Sequence, residues 1–254
     1  MCDMENGLNY EVYGNGEKVL LFLHGWGGDR RSFAPLVNIL KDTYRCVCVD
    51  FYGHGNTPAT REYSLRDFTE SVRRVMLDEN VTSASVVAHS FGGRVALDIA
   101  SDPRINALVI IDGAGIKPRL TLKKLARKFV YRLKKAVKAD TSRCGSPDYK
   151  ALSPLMKATF VNIVNTYQNA VLPQINKPTL LIWGKKDCDT PLWMAHKMQK
   201  GIKNARLITL DGGHFCYLDH VFEVTGYIRN FLNGVYYGMD CVCDMRSASG
   251  GGGF

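Results

Sequence analysis

The sequence predicts an α/β fold, a mostly parallel sheet with helices on both faces, and three observations predict it. Short runs of β-branched and aliphatic residues alternate with longer stretches of helical periodicity along the 254-residue chain. The runs are apolar throughout rather than every second residue, as in strands covered on both faces. Gly, Asp, His and Pro collect where the runs end, which is where open sheets of this kind hold their ligands.

The elements follow in order. Leu8 to Tyr13 running into Val19 to Leu23 predicts an antiparallel pair at the amino end. A helix over Ser32 to Leu40 leads to a strand over Tyr44 to Val49, and Ser64 with Asp67 forms a cap pair for a helix reaching Leu77. Ser85 to Ala88 is a strand, Phe91 to Ser101 a helix and Ala107 to Ile111 a strand. The alternation then breaks from Gly113 to Pro178, where a single crossover helix would have sufficed. An insertion beyond a strand's carboxyl end, placed to form a lid, accounts for the break. It holds a basic helical stretch, a turn-rich stretch from Thr141 to Asp148 and a second helical region from about Tyr149 to Val171. The alternation resumes with a strand over Thr179 to Trp183, a helix over Pro191 to Lys200, a strand over Ala205 to Leu210 and a helix over His220 to Leu232. The expected organisation is therefore a core over 1–112 and 179–233, a cap over 113–178 and a flexible Gly-rich tail over 234–254.

With 46% hydrophobic and 22% charged residues, the composition suits a folded globular protein and excludes disordered, collagen-like and disulfide-stapled classes. No apolar run approaches the ~20 residues that span a bilayer. Met1 to Gly7 lacks the basic and apolar parts of an export signal, so the expectation is a cytoplasmic protein whose eight cysteines stay free thiols. Neither Cys46 with Cys48 nor Cys241 with Cys243 has a second ligand pair at zinc-site spacing, so no metal site is expected.

The net charge of +9 is local. Residues 117 to 138 hold ten bases and no acid; outside that segment 23 bases face 24 acids. Leu122, Leu125, Phe129 and Leu133 recur at helical spacing within it, which describes an amphipathic helix with a cationic face. Such a helix serves as a solvated face over the protein's own core, as a weak contact for anionic membranes, or as an attractor of a negatively charged substrate. Nucleic acid is not an expected partner, because no binding module accompanies the charge.

The chemistry is carried by four strand ends. Ser85 to His89 runs into Ser90 and then Phe91-Gly92-Gly93, with small residues two before and two after the serine, as a turn tight enough to present the hydroxyl requires. A serine needs a base, and the base needs an acid to fix its tautomer. His214 follows the last strand and Asp187 the strand before it, in the order Ser, Asp, His. Asp189 and Asp112 are rival acids, Asp189 also being placed to cap the helix near Pro191. His89 is adjacent to the serine but directed elsewhere by the sharp turn, and His196 and His220 belong to helices. His24-Gly25-Trp26-Gly27-Gly28 supplies a loop whose glycines let backbone approach a ligand, and the N–H groups of Trp26 and Phe91 are the candidate oxyanion donors. Gly25 and His24 join the candidate substrate contacts, His24 also fitting a role as brace of the loop. From the insertion, Tyr149, Met156 and Phe160 are candidates to line an apolar pocket.

These segments together resemble the α/β-hydrolase superfamily over roughly residues 8 to 232. Asp50-Phe51-Tyr52-Gly53-His54-Gly55-Asn56-Thr57 is similar to its strand-end Asp-x-x-Gly-x-Gly-x-Ser/Thr turn, and the oxyanion, serine, acid and base segments are in register with it. Ala88 replaces the usual first Gly of the serine turn. The resemblance implies an eight-stranded, mostly parallel sheet with a helical cap, no cofactor, and a small-molecule acyl substrate. It implies an acyl-enzyme route in which Ser90 attacks, His214 moves the proton and Asp187 orients His214. Hydrolysis of a small ester or thioester is the expected reaction. C–C bond hydrolysis, aminopeptidase activity, lysophospholipase activity at an anionic surface, and a receptor role without turnover belong to the same superfamily. The oligomeric state is not legible.

Overall fold

The computed structural model describes residues 7–119 and 152–237. Its strands are β1 (Asn9–Tyr13), β2 (Val19–Leu23), β3 (Arg45–Asp50), β4 (Ala84–His89), β5 (Ile105–Ile111), β6 (Thr179–Gly184) and β7 (Ala205–Leu210). They form one sheet in the order β1-β3-β2-β4-β5-β6-β7. Among the described residues the sheet has seven strands, not the eight expected. All neighbours run parallel except β1, which is antiparallel to β3. The amino-terminal hairpin expectation is thus corrected: β1 does not pair with β2, because both flanks of β2 are taken by parallel partners, β3 and β4. Loop length favoured a hairpin; central burial of all five β2 residues overrode it.

Alternate residues of each strand serve two cores, which is why the runs read as continuously apolar. Leu21, Leu23, Val86, Ala88, Leu108, Ile110, Leu181 and Trp183 face one cluster, closed by α2 (Leu65–Asp78), α3 (Phe91–Ile99) and α5 (Trp193–Gly201). Leu20, Phe22, Val87, Val109, Ile111 and Ile182 face the other, closed by α1 (Ala34–Leu40) and α7 (Val221–Tyr237). At about 25 cal/mol per Å² of apolar surface removed from water, these two layers supply the main drive to fold.

Helix ends follow local chemistry. Ser64 and Asp67 cap α2 reciprocally, the Ser64 N–H donating to Asp67 Oδ2 at 2.7 Å and the Asp67 N–H to Ser64 Oγ at 3.4 Å. The first helix is preceded by a 3-10 turn over Arg30–Phe33 that Asp29 and Ser32 cap in the same way. Within the insertion, α4 (Pro154–Asn165) starts at Ser153, whose hydroxyl accepts from the Met156 N–H at 3.3 Å. A short α6 (Cys216–Asp219) precedes α7. α7 continues to Tyr237, four residues into the stretch assigned to the tail, because Val235 and Tyr236 still pack on the second core and the Tyr236 hydroxyl meets Ser85 Oγ at 2.8 Å. The basic stretch beyond Arg119, the turn-rich stretch and the Gly-rich end of the chain lie outside the described residues. Among the described residues, no helix is long and apolar enough to cross a membrane.

Candidate active site

Ser90 occupies the turn between β4 and α3 with φ 50° and ψ −112°, a conformation that costs a non-glycine residue free energy and persists only where surroundings impose it. They do so here. The Ser90 N–H donates to the Ile111 carbonyl at 3.1 Å, while the Ser90 carbonyl accepts from Gly93 at 3.0 Å and Ala114 at 2.9 Å. The Gly92 N–H donates to the His24 carbonyl at 3.1 Å, tying the helix to the loop after β2. A Cβ at position 92 would strike the Leu23 carbonyl, so only glycine permits this approach. Ala88, by contrast, is an ordinary buried strand residue paired with Leu23 and Ile110, and a methyl fits there.

Two loops bring partners to the serine. His214 Nε2 lies 2.9 Å from Ser90 Oγ, and His214 Nδ1 lies 2.9 Å from Asp187 Oδ2. Asp187 is buried, and its other oxygen accepts from the backbone N–H groups of Asp189 at 2.8 Å and Thr190 at 3.0 Å. Thr190 Oγ1 donates to Oδ2 at 2.6 Å. Burial alone would raise the Asp187 pKa, but hydrogen bonds from His214 and Thr190 outweigh it and hold the carboxyl well below the usual range. Burial would likewise lower His214; the bond to Asp187 and its charge reverse this and raise His214 above its ordinary 6.5. An ionised carboxylate only accepts, so Nδ1 carries the imidazole proton and Nε2 is free to accept from the Ser90 hydroxyl.

Other expectations are relocated. Asp189 does not cap α5: the helix starts at Trp193 with no side-chain cap bond, and Asp189 instead gives its backbone N–H to Asp187. Asp112 lies close by but makes no bond to His214; its carboxylate accepts from the Gly184 N–H at 2.8 Å and the Cys216 thiol at 3.1 Å. Burial pushes Asp112 up to about 7.

His24 is fully enclosed and is not available as a substrate contact. Its Nδ1 meets the Gly25 carbonyl at 2.7 Å and its Nε2 accepts from the Phe51 N–H at 3.0 Å, so it braces the loop, and burial lowers its pKa to about 4. Gly25 lies against Ser90 and His89, where a Cβ would be 3.2 Å from the Ser90 Cβ. Trp26 stacks edge-on with Phe160 of α4, ring centroids 5.1 Å apart, and with Phe91 at 5.5 Å. Met156 is buried with its thioether against Gly53. The insertion thus covers the loop after β2 through Phe160 and the Asp50 turn through Met156. Tyr149 lies outside the described residues.

Sequence reasoning missed two supports. His89 Nε2 lies 2.7 Å from the His214 carbonyl, which makes it a brace of the loop bearing His214; burial lowers its pKa to about 3, so it stays neutral and donates. Adjacency to Ser90 was the only signal for it. Thr190 is the other: nothing in the sequence singles it out, and its hydroxyl reaches Asp187 Oδ2 only in the folded loop. The Asp50 turn, in contrast, shows why its pattern exists: the Asp50 carboxylate accepts from the backbone of Arg30 at 2.7 Å and Asn56 at 2.9 Å and pairs with the Arg30 guanidinium. Gly55, at φ 52°, leaves the room that carboxylate needs.

Among the described residues, one group, Asp187, Asp189 and His214, brings ligand-type atoms within 4.8 Å of one another. Asp187 already spends both oxygens on His214, Thr190 and Asp189, so a cation there would have to displace that hydrogen-bond chain. Cys46, Cys48, Cys188 and Cys216 are free thiols.

A doubly covered parallel sheet with a strained serine at a central strand end, joined through an imidazole to a buried carboxylate, defines the α/β-hydrolase class. The chain belongs to the alpha/beta hydrolase family, whose model matches residues 20–225. It is 27% identical to the magnesium-chelatase 30 kDa subunit of Rhodobacter capsulatus, over 85% of this chain and 87% of that protein. It is 26% identical to the pimeloyl-(acyl-carrier protein) methyl ester esterase of Neisseria meningitidis serogroup C, over 86% of this chain and 94% of the relative. A hydrolase from Pseudomonas aeruginosa PA01 has the same fold, with a TM-score of 0.74, 21% identity and coverage of 91% of this chain and 97% of its own.

Proposed function

We propose that the protein is a serine hydrolase that cleaves a small carboxylic ester or thioester through an acyl-enzyme. The observation that carries this reading is the unbroken chain from Ser90 Oγ to His214 and on to Asp187, with both links at 2.9 Å. Ser90 Oγ attacks the substrate carbonyl as its proton passes to His214 Nε2, and Asp187 stabilises the imidazolium so formed. The Trp26 and Phe91 N–H groups take the negative charge on the carbonyl oxygen. His214 returns the proton to the leaving alcohol or thiol, and water, activated by the same nitrogen, releases the acid from Ser90. Esterase relatives favour an ester over the other reactions of the superfamily.

A panel of p-nitrophenyl esters of increasing acyl length, acyl thioesters and amino acid arylamides tests the reading. Turnover of short esters at least tenfold faster than of arylamides is expected; cleavage of arylamides alone would replace the esterase assignment with an amidase one.

The pH dependence has a definite sign. His214 acts as a base only when neutral, and Asp187 raises its pKa, so kcat/KM is expected to climb with pH and reach half its plateau above pH 6.5. Thr190→Val deletes the hydroxyl that shares Asp187 Oδ2 with His214. That oxygen then holds the imidazolium more tightly, and the limb moves to still higher pH while kcat falls by about fivefold, the equivalent of roughly 1 kcal/mol. Thr190→Ser restores the profile; an unmoved limb in the valine variant contradicts this role for Thr190.

A further inference from the structure

The basic surplus begins at Lys117, and the structure describes its first two members, Lys117 and Arg119. Together with His196, Lys197 and Lys200 of α5 they line a cleft of about 570 Å³ that also includes Trp193. Among the described residues no acid lines it, and none of its four Lys and Arg side chains pairs with a described acid. Two contacts order one wall. Arg119 lies over the Trp193 ring at 4.7 Å, and the Lys117 N–H donates to Asn169 Oδ1 at 2.9 Å.

Position matters as much as charge. Lys117 and Arg119 follow the carboxyl end of β5, and α5 follows the carboxyl end of β6 and the Asp187 loop. These are the next two strands beyond β4, which carries Ser90, and adjacent strands are about 4.8 Å apart. The cleft therefore begins at the sheet edge that carries the serine, where Arg119 meets Trp193, and runs down α5, which leads back from that edge toward the start of β7, past Lys197 and Lys200. Four cations around one cleft are more than a single carboxylate needs; they match a group of two or more negative charges, with Arg offering a planar fork and Lys a point charge.

We propose that this cleft receives the phosphate groups of an anionic acyl ligand whose ester or thioester bond reaches Ser90. The substrate class that follows, an acyl group on a phosphate-bearing carrier, rests on the hydrolase reading; phosphate binding by the cleft does not. The phosphate has two sources, a soluble thiol carrier of the coenzyme A type or a phospholipid headgroup.

The test measures binding of coenzyme A and of phosphatidylglycerol vesicles to Ser90→Ala protein, with and without Lys197→Glu and Lys200→Glu, at 50 and 300 mM NaCl. Both lysines are exposed, and a melting curve checks that the variant is folded. The expected result is coenzyme A binding that weakens at least tenfold in the double variant and weakens with salt. Vesicle binding without coenzyme A binding, lost in the same variant, assigns the phosphate to a lipid. Binding of neither, or binding indifferent to both substitutions, overturns the proposal. With Ser90 intact, the double variant should lose at least tenfold more rate on an acyl-coenzyme A than on a neutral p-nitrophenyl ester. Failure of the unsubstituted protein to cleave any ester would instead count against the hydrolase reading and leave the binding result standing.

Discussion

Ser90→Ala is expected to reduce ester turnover by a factor on the order of 10⁴ to 10⁶, because the nucleophile is deleted while the sheet, the turn and the candidate oxyanion donors remain. Alanine fits the site without collision, although it inherits the positive φ of 50°. Its loss should therefore appear in kcat on p-nitrophenyl esters and not as unfolding, which a melting curve run beside the assay separates. A variant retaining a tenth or more of the rate would show that Ser90 does not carry the reaction.

Asp187→Asn follows, with an expected loss of about 10⁴ in kcat. The argument is one of proton bookkeeping. Asp187 Oδ1 sits on the N–H groups of Asp189 and Thr190, so the amide oxygen of asparagine is held on that side and its NH₂ faces His214. A donor opposite Nδ1 makes that nitrogen the acceptor and moves the imidazole proton to Nε2, where it confronts the Ser90 hydroxyl instead of receiving its proton. Asp112→Asn provides the contrast. Asp112 bonds Gly184 and Cys216 and not His214, so the expected loss is less than tenfold, read from the same initial rates. Equal losses in the two variants would move the role of acid away from Asp187.

Much of this was legible in the sequence because it is local. The Ser64–Asp67 cap is satisfied within three residues, and the serine turn and the Asp50 turn each show their pattern in a few consecutive positions although Gly92 meets Leu23 and Asp50 meets Arg30 from elsewhere in the chain; strand ends gather on one edge once the sheet is parallel. Long-range choices were not legible. Nothing near β1 says that β3, over thirty residues on, will take it in preference to β2. Asp189 read as a helix cap because its spacing to Pro191 suits one; the helix begins later, and the backbone of Asp189 is used in place of its side chain. His24 and His89 illustrate the same limit. Each is a histidine beside a functional segment, yet each is buried and bonded to a backbone group brought in by folding, the Phe51 N–H in one case and the His214 carbonyl in the other. Whether an imidazole titrates in a reaction or braces a loop depends on those partners, which only tertiary structure provides.

The central claim is that Ser90 is an activated nucleophile. Incubation with a fluorophosphonate, followed by tryptic digestion and mass spectrometry, tests it directly. The account predicts one adduct per chain, on the peptide bearing Ser90, formed faster as His214 loses its proton. An unmodified Ser90, or an adduct on a different residue, would contradict it.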